Sequence, residues 1–225
     1  MSVVLSEHLA LLVSAPEGIQ KLRGLILELA VRGKLVAQDP NDEPASVLLE
    51  RIREEKEELI KQGKIKRDKH ESVIFRRDNS YYEKVDGIER CIDDELPFEI
   101  PDSWEWTTIG TTCINIQYGS SRKSESTGTM AVLRMGNMQN GTLDLKDLVY
   151  LDLVEKEFKK YQLKKGDILL NRTNSYELVG KISLFDLDGD YLSASYIVAY
   201  RPNFKVLNSI FINNLLNTTY FQDKI

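Results

Sequence analysis

Three polar stretches hold the residues whose types and spacing suit contact with a polar ligand. The first is Tyr118, Gly119, Ser120, Ser121, Arg122 and Lys123, which runs on through hydroxyl residues to Gly128. The second starts at Arg134 and includes Asn137 and Met138 before Gly141. The third runs from Asn171 to Lys181 directly after an apolar strand: Arg172, Thr173, Asn174, Ser175 and Tyr176, ending at Val179-Gly180-Lys181. Glycines let a backbone come close to a ligand, and hydroxyls and amides reach phosphate oxygens. Arginine or lysine addresses guanine O6 and N7, and asparagine pairs with an adenine edge. Arg122, Lys123 and Arg172 are therefore the preferred base or phosphate readers, with Lys181 beside them, and Asn137 and Asn174 are candidates for adenine. The plain reading stands next to this one, because polar loops cover any protein. Arg134 sits where a strand gives way to a loop and can serve either purpose. Tyr196, inside an apolar strand, reads as core.

Bond-making chemistry finds little support. No Gly-x-Gly-x-x-Gly follows a strand, and neither a Walker loop nor a His-Glu-x-x-His motif occurs. Methyl transfer to a base amine would need a glycine-rich cofactor motif and an Asn/Asp-Pro-Pro-aromatic motif, and the chain has neither. Asp186, Asp188 and Asp190 are spaced like the start of a calcium loop. Glycine, however, falls at the fourth position instead of the sixth, and Ile197 stands at the twelfth, where a bidentate acid is needed. No metal site is expected. Glu54-Glu55-Lys56 lies on a charged helix face, and with only His8 and His70 a histidine-based triad is not expected. No catalytic residue is assigned.

The chain has 225 residues, 42% apolar and 29% charged, with a net charge of −5. That composition is ordinary for a soluble globular protein and allows one large or two small domains. Residues 1–95 carry 16 basic against 20 acidic residues, and residues 96–225 carry 14 against 15. The near-neutral second part can bind DNA if its cations share a face, but weakly when alone, so a basic partner is expected to supply phosphate contacts. The first residues lack a basic start, and no apolar run approaches the roughly 20 residues a membrane helix needs. Cys91 and Cys113 have neither CxxC nor metal-ligand spacing and read as free thiols. A cytoplasmic protein is the expectation.

These residues need elements to carry them. Pro16-Glu17 suits a helix start, with Ile19, Leu22, Leu25, Ile26 and Leu29 on one stripe and Gly33 as its cap. After the Asp39-Pro40-Asn41-Asp42 turn, Asp42 or Glu43 can cap a second helix with Pro44 in its first turn. Leu48, Ile52 and Leu59 line this helix, Glu57 and Lys61 form an i,i+4 pair, and Gly63 ends it. Residues 64–95 read as a polar connector with a small hairpin around Asp78-Asn79-Ser80. Strands are expected over 104–109, 113–117, 130–135, 148–151, 167–171, 181–185 and 193–200. Most are separated by the turn signals Tyr118-Gly119, Asn140-Gly141, Lys165-Gly166 and Asp188-Gly189. A helix is expected over 209–217. The fold class is α+β: a helical arm over 1–66, a connector over 67–95, and a mainly β domain with short helices over 96–225.

The wording of the 22–66 segment is similar to one family. Lys34-Leu35-Val36, Asp39-Pro40-Asn41-Asp42-Glu43-Pro44-Ala45-Ser46 and Gly63-Lys64-Ile65-Lys66 resemble the N-terminal region of specificity subunits of type I restriction-modification systems. Tyr82-Glu83-Lys84, Asp94 through Pro101 and Trp104-Glu105-Trp106 continue the pattern. The second part resembles one target recognition domain of that family. It carries Gly119 with its polar loop, Val132-Leu133-Arg134, Asn137, Gly141, Lys165-Gly166-Asp167-Ile168-Leu169 and Val179-Gly180-Lys181. The resemblance implies a non-catalytic subunit that reads one half of a bipartite target in double-stranded DNA. It implies docking on modification (methyltransferase) subunits that use S-adenosylmethionine, and assembly with restriction subunits that use ATP and Mg2+. The chain itself would hold no cofactor. Leu22, Leu25, Ile26, Leu29, Leu48, Ile52 and Leu59 become the expected partner-docking residues. The spacer helix and second recognition domain of the pattern are missing, so the recognition domain is expected to be incomplete at its end. A fragment, a truncated product or a self-pairing half-subunit is then expected. The alternative is a remnant that docks a modification subunit without reading DNA alone.

Overall fold

The computed structural model describes residues 16–173, 178–203 and 207–222. Two helices open it, α1 (Gly18–Val31) and α2 (Ala45–Lys61). Helix α1 starts at Gly18, not at Pro16-Glu17, because Glu17 takes a left-handed conformation with φ 59°. Both helices stop in the same way. Gly33 (φ 66°) follows α1 and Gly63 (φ 67°) follows α2. Lys34 N–H reaches back to Leu29 O at 2.8 Å, and Lys64 N–H to Leu59 O at 2.9 Å. Glycine accepts this left-handed cap without the Cβ clash that other residues meet. The start of α2 corrects the expected cap. Pro44 is the capping residue, and the carbonyl of Ser103, not Asp42 or Glu43, takes the Ala45 N–H at 2.8 Å. The Glu57–Lys61 pair also gives way. Both oxygens of Glu57 accept from Arg67 at 2.6 Å, since a guanidinium fork matches a carboxylate better than a single ammonium does. That bond holds the Glu57 carboxyl below its usual range.

The arm packs on the rest of the chain through a few definite contacts. Ile52 is fully buried and Leu49 nearly so. Lys56 Nζ donates to Gly110 O at 2.9 Å, and Asn203 Nδ2 donates to Glu55 Oε2 at 2.6 Å. A Cβ on Gly33 would lie 2.5 Å from Pro101 Cγ, so the end of α1 presses directly on the 96–106 segment. Arg32 lies over the Phe98 ring, Phe98 packs with Trp106 and Tyr220, and Trp104 meets Phe211 edge-on. Trp104 Nε1 donates to Gln38 at 2.9 Å. This aromatic cluster explains why 104–109 is not the expected strand. The tryptophans are spent on packing the arm, and the chain turns into a short helix, α3 (Ile109–Thr112), capped by Thr108.

Residues 72–91 form a three-stranded meander: β1 (Ser72–Arg77), β2 (Ser80–Val85) and β3 (Ile88–Cys91). The Asp78-Asn79 turn has φ of 51° and 67°, as a two-residue hairpin needs. Asp86-Gly87 repeats it with φ of 52° and 83°, which adds a third strand to the expected hairpin.

The remaining elements build layers. A four-stranded antiparallel sheet has the order β10 (Ile182–Leu184), β9 (Ile168–Asn171), β12 (Ile197–Pro202), β4 (Cys113–Tyr118). A second sheet has the order β11 (Tyr191–Ser193), β5 (Met130–Leu133), β8 (Val149–Leu151), with β11 and β5 parallel. Strand alternation sends neighbouring residues to opposite faces. Leu169, Ile197 and Ala199 thus meet Leu133, Met138 and Phe185 between the sheets. Ile168, Ile182 and Tyr200 face the other way, toward Leu216 of α5 (Ser209–Leu216) and Phe221 of α6 (Thr219–Gln222). Burial of each such side chain contributes roughly 1.5–3 kcal/mol.

The far face of the second sheet is covered by α4 (Glu155–Tyr161), whose buried Phe158 meets Val132, Leu151 and Leu192. This helix has acids in its first turn and lysines in its last, which suits the helix dipole. A ribbon of β6 (Met138–Gln139) and β7 (Thr142–Leu143) turns at Asn140-Gly141 as expected. The single strand expected over 193–200 is instead two strands. They break at a tight turn where Ile197 N–H bonds Ala194 O, because β11 serves one sheet and β12 the other. Asp167 and Arg201 tie β9 to β12 through a buried fork, with both nitrogen–oxygen distances 2.7 Å.

Candidate nucleic-acid interface

The turn between β11 and β12 is the hub of the site. Three strands end beside it: β4 at Tyr118, β5 at Leu133 and β9 at Asn171. Gly119 N–H donates to Ile197 O (3.2 Å), Ser120 N–H to Ser193 O (2.8 Å), Ala194 N–H to Leu133 O (3.0 Å) and Arg172 N–H to Tyr196 O (3.2 Å). All three polar stretches singled out from sequence therefore leave the same end of the two sheets. Tyr118-Gly119 is not a turn. The chain continues alongside β11, and a Cβ on Gly119 would lie 2.0 Å from Ser193 O and 2.3 Å from Ala194 O.

Two of the expected residues touch across loops. The Arg172 guanidinium carbon lies 4.8 Å from the centre of the Tyr118 ring, a cation–π distance. Both side chains are exposed, Tyr118 at 56%. Ser121, Arg122 and Lys123 are exposed on the next stretch of loop. Arg122 is paired with Glu157 of α4 at 2.6 Å. Among the described residues, neither Lys123 nor Arg172 has a carboxylate partner.

Other expected readers turn out to be scaffold. Asn137 is buried, and its amide donates to Asp144 O (2.9 Å) and Lys146 O (2.8 Å) while its Oδ1 accepts the Arg134 N–H (2.9 Å). With every polar atom engaged inside the 134–147 loop, it is not free to meet an adenine edge. Met138 is buried in the core between the sheets. Gly119 and Ser120 are buried as well and position their neighbours. Arg134 donates to Asp147 O at 2.6 Å, which favours its loop-holding role. Thr173 and Lys181 are half-buried at the two ends of the third loop, and Asn174, Ser175 and Tyr176 lie outside the described residues. Tyr196 packs against the core, as its sequence context suggested.

Two residues of the site, Asn171 at the start of the third stretch and Glu157, were assigned no role from sequence. Asn171 is fully buried, and its Nδ2 donates to Thr173 O (3.0 Å) and Leu178 O (2.6 Å), drawing both ends of the third loop together. Its position at the end of an apolar strand, just before a polar run, was the available signal. Glu157 had none, because its partner is 35 residues away in the chain.

The enzyme-like clusters resolve into ordinary contacts. Lys165 sits 3.4 Å from Asp186 and 3.5 Å from Asp188. Among the described residues, no group of three or more His, Cys, Asp or Glu is placed to hold a metal ion, and no helix is long and apolar enough to cross a membrane. Lys56 and Glu55 are engaged with α3 and Asn203.

On the expected docking stripe, Ile52 is fully buried and Leu48, Leu59, Leu22 and Leu29 are half-buried, so Ile52 is removed from that role. Leu25 (41%) and Ile26 (44%), with Ile19 (58%), form an exposed apolar face on α1.

A layered α+β scaffold thus gathers exposed cationic and hydroxyl side chains at one end of its two sheets. No family model matches the chain. Individual relatives do. It is 34% identical, over 92% of its length, to the type I restriction enzyme EcoAI specificity subunit of Escherichia coli, of which it covers 35%. It is 56% identical over 92 residues, 41% of the chain, to the EcoEI specificity subunit of E. coli, of which it covers 13%. It is 25% identical over 56% of its length to the putative MjaX specificity subunit of Methanocaldococcus jannaschii, of which it covers 30%. The chain is thus a relative of type I restriction enzyme specificity subunits, and it spans about a third of the length of the first of them.

Proposed function

We propose that this chain reads DNA sequence as part of a type I specificity subunit. Its recognition domain takes one half of a bipartite target, and it performs no bond-making step itself. The observation that carries this reading is the convergence of three loops on the β11–β12 turn, with the Arg172 guanidinium over the exposed Tyr118 ring. A cation–π contact restrains where a guanidinium sits, and a restrained guanidinium is suited to bidentate contact with guanine O6 and N7. Lys123 and Ser121 then serve as phosphate contacts that set the register. The names of the relatives support the same role.

The exposed α1 face of Ile19, Leu25 and Ile26 supports a second part of the proposal, docking on a modification subunit. S-adenosylmethionine, ATP and Mg2+ belong in this scheme to partner subunits. The test is a titration of the chain in complex with its modification subunit against the duplex identified by sequencing methylated host DNA. Arg172→Ala is expected to weaken specific binding by about 1–3 kcal/mol. Unchanged affinity for that duplex would overturn the assignment.

A further inference from the structure

Among the described residues, Arg122 is the one expected cationic reader held by an acid. Its Nη2 lies 2.6 Å from Glu157 Oε2, with the arginine 57% exposed and the glutamate 26%. Both sides of this bridge are anchored. The loop is pinned at Gly119 and Ser120 by the β11–β12 turn, and at Glu125 by paired backbone bonds with Tyr150 of 2.8 and 2.9 Å. Helix α4 is pinned by buried Phe158 and by Gln162, whose carbonyl accepts from Gln117 and from Arg201, each at 3.3 Å. The other first-turn acid of α4, Glu155, is taken by Lys159. A fixed carboxylate therefore faces the fixed loop that follows Tyr118.

We propose that Glu157 is a specificity-determining residue for the DNA reading above, on which this inference rests. It occupies Arg122 until a base edge replaces it. A guanine edge offers the guanidinium two acceptors in one plane and can compete with a carboxylate. A backbone phosphate also offers two oxygens to the guanidinium, but it carries a charge that Glu157 repels, whereas the guanine edge is neutral. Arg122 then adds to sequence-specific binding and contributes little to non-specific binding, which depends on the number of phosphates neutralised.

The test uses the chain in complex with its modification subunit, a cognate duplex found from the methylated sequence, and a fluorescein-labelled duplex of random sequence. Both duplexes are titrated across a range of salt with the wild type, Glu157→Gln, Arg122→Ala, the double variant and Arg172→Ala, after matching thermal midpoints establish folding. Glu157→Gln is expected to tighten binding of the random duplex more than the cognate one. It should also steepen the random-duplex salt dependence by about 0.9, the slope of one added phosphate contact. In the Arg122→Ala background the same change should do nothing. An unchanged salt slope overturns the proposal. So does equal weakening of both duplexes, which would make the bridge a plain structural staple, or an effect that persists without Arg122. Failure of the DNA reading itself looks different: the wild type would show no preference for the cognate duplex, Arg172→Ala would match it, and the proposal would fall too.

Discussion

Replacing Gly119 by alanine puts a methyl group into the backbone from which the first and third loops hang. The new Cβ would lie 2.0 Å from Ser193 O and 2.3 Å from Ala194 O, where ordinary contact begins at 3.4 Å. The strands must therefore part by about 1.4 Å, the difference between 3.4 and 2.0 Å. That stretches two backbone bonds past useful length: Gly119 N–H to Ile197 O at 3.2 Å and Ser120 N–H to Ser193 O at 2.8 Å. Both residues are buried, so water replaces these bonds poorly. Two lost bonds at about 1 kcal/mol each, with part of the cost of unpaired buried groups, give a loss of about 2–4 kcal/mol. The stiffer unfolded chain of an alanine variant returns only about 0.4–1 kcal/mol. Urea denaturation should report the net loss. Hydrogen exchange should show faster exchange at residues 119 and 120, with the Tyr118–Arg172 contact loosened beside them. A wild-type denaturation midpoint together with unchanged protection at both amides would mean that the backbone at Gly119 accommodates the methyl group.

Other consequences follow from single contacts. Arg201→Ala strands the buried Asp167 carboxylate, whose two oxygens accept from that guanidinium at 2.7 Å, and should destabilise the fold by about 3–5 kcal/mol in urea. A loss below about 1 kcal/mol would mean the pair is solvated. His70 Nδ1 lies 2.8 Å from Asp86, and the hydrogen bond to that carboxylate raises its pKa above 6.5. A raised histidine pKa contributes stability below the ordinary value, and the contribution is lost as pH rises through the folded value. Titration of the His70 ring by NMR should therefore give a value above 6.5 that returns to the ordinary range in Asp86→Asn. Identical titrations in the two proteins would remove the contact.

Local chemistry made part of this molecule legible in its sequence. Asn140-Gly141 announced its hairpin, because both residues tolerate positive φ, and Gly33 and Gly63 announced helix ends for the same reason. Asp86-Gly87 carries the same signal and was hidden only by its polar, fully exposed third strand. Helix α4 has seven residues and a single buried apolar side chain, too little for a helical stripe to stand out. The 104–109 segment has strand-forming residues, but the aromatic packing around Phe98 overrides propensity.

The polar loops were found by composition, while their roles were not. Asn137 and Arg172 look equally suited to DNA in sequence. Only tertiary contacts separate an amide spent on Asp144 and Lys146 from a guanidinium placed over an exposed tyrosine ring. The docking stripe divided in the same way, with Ile52 in the core and Leu25 and Ile26 on the surface.

If the domain after the meander reads DNA sequence, moving it into a relative must move the sequence that is read. Residues 96–222 of this chain would replace the matching region of the EcoAI specificity subunit, the E. coli relative that this chain matches over 92% of its length. The hybrid would be expressed with its modification partner, and the methylated sites in host DNA would be sequenced. One part of the methylated sequence is expected to change while the rest and the spacing are kept. Active methylation at the original, unaltered sequence would contradict it.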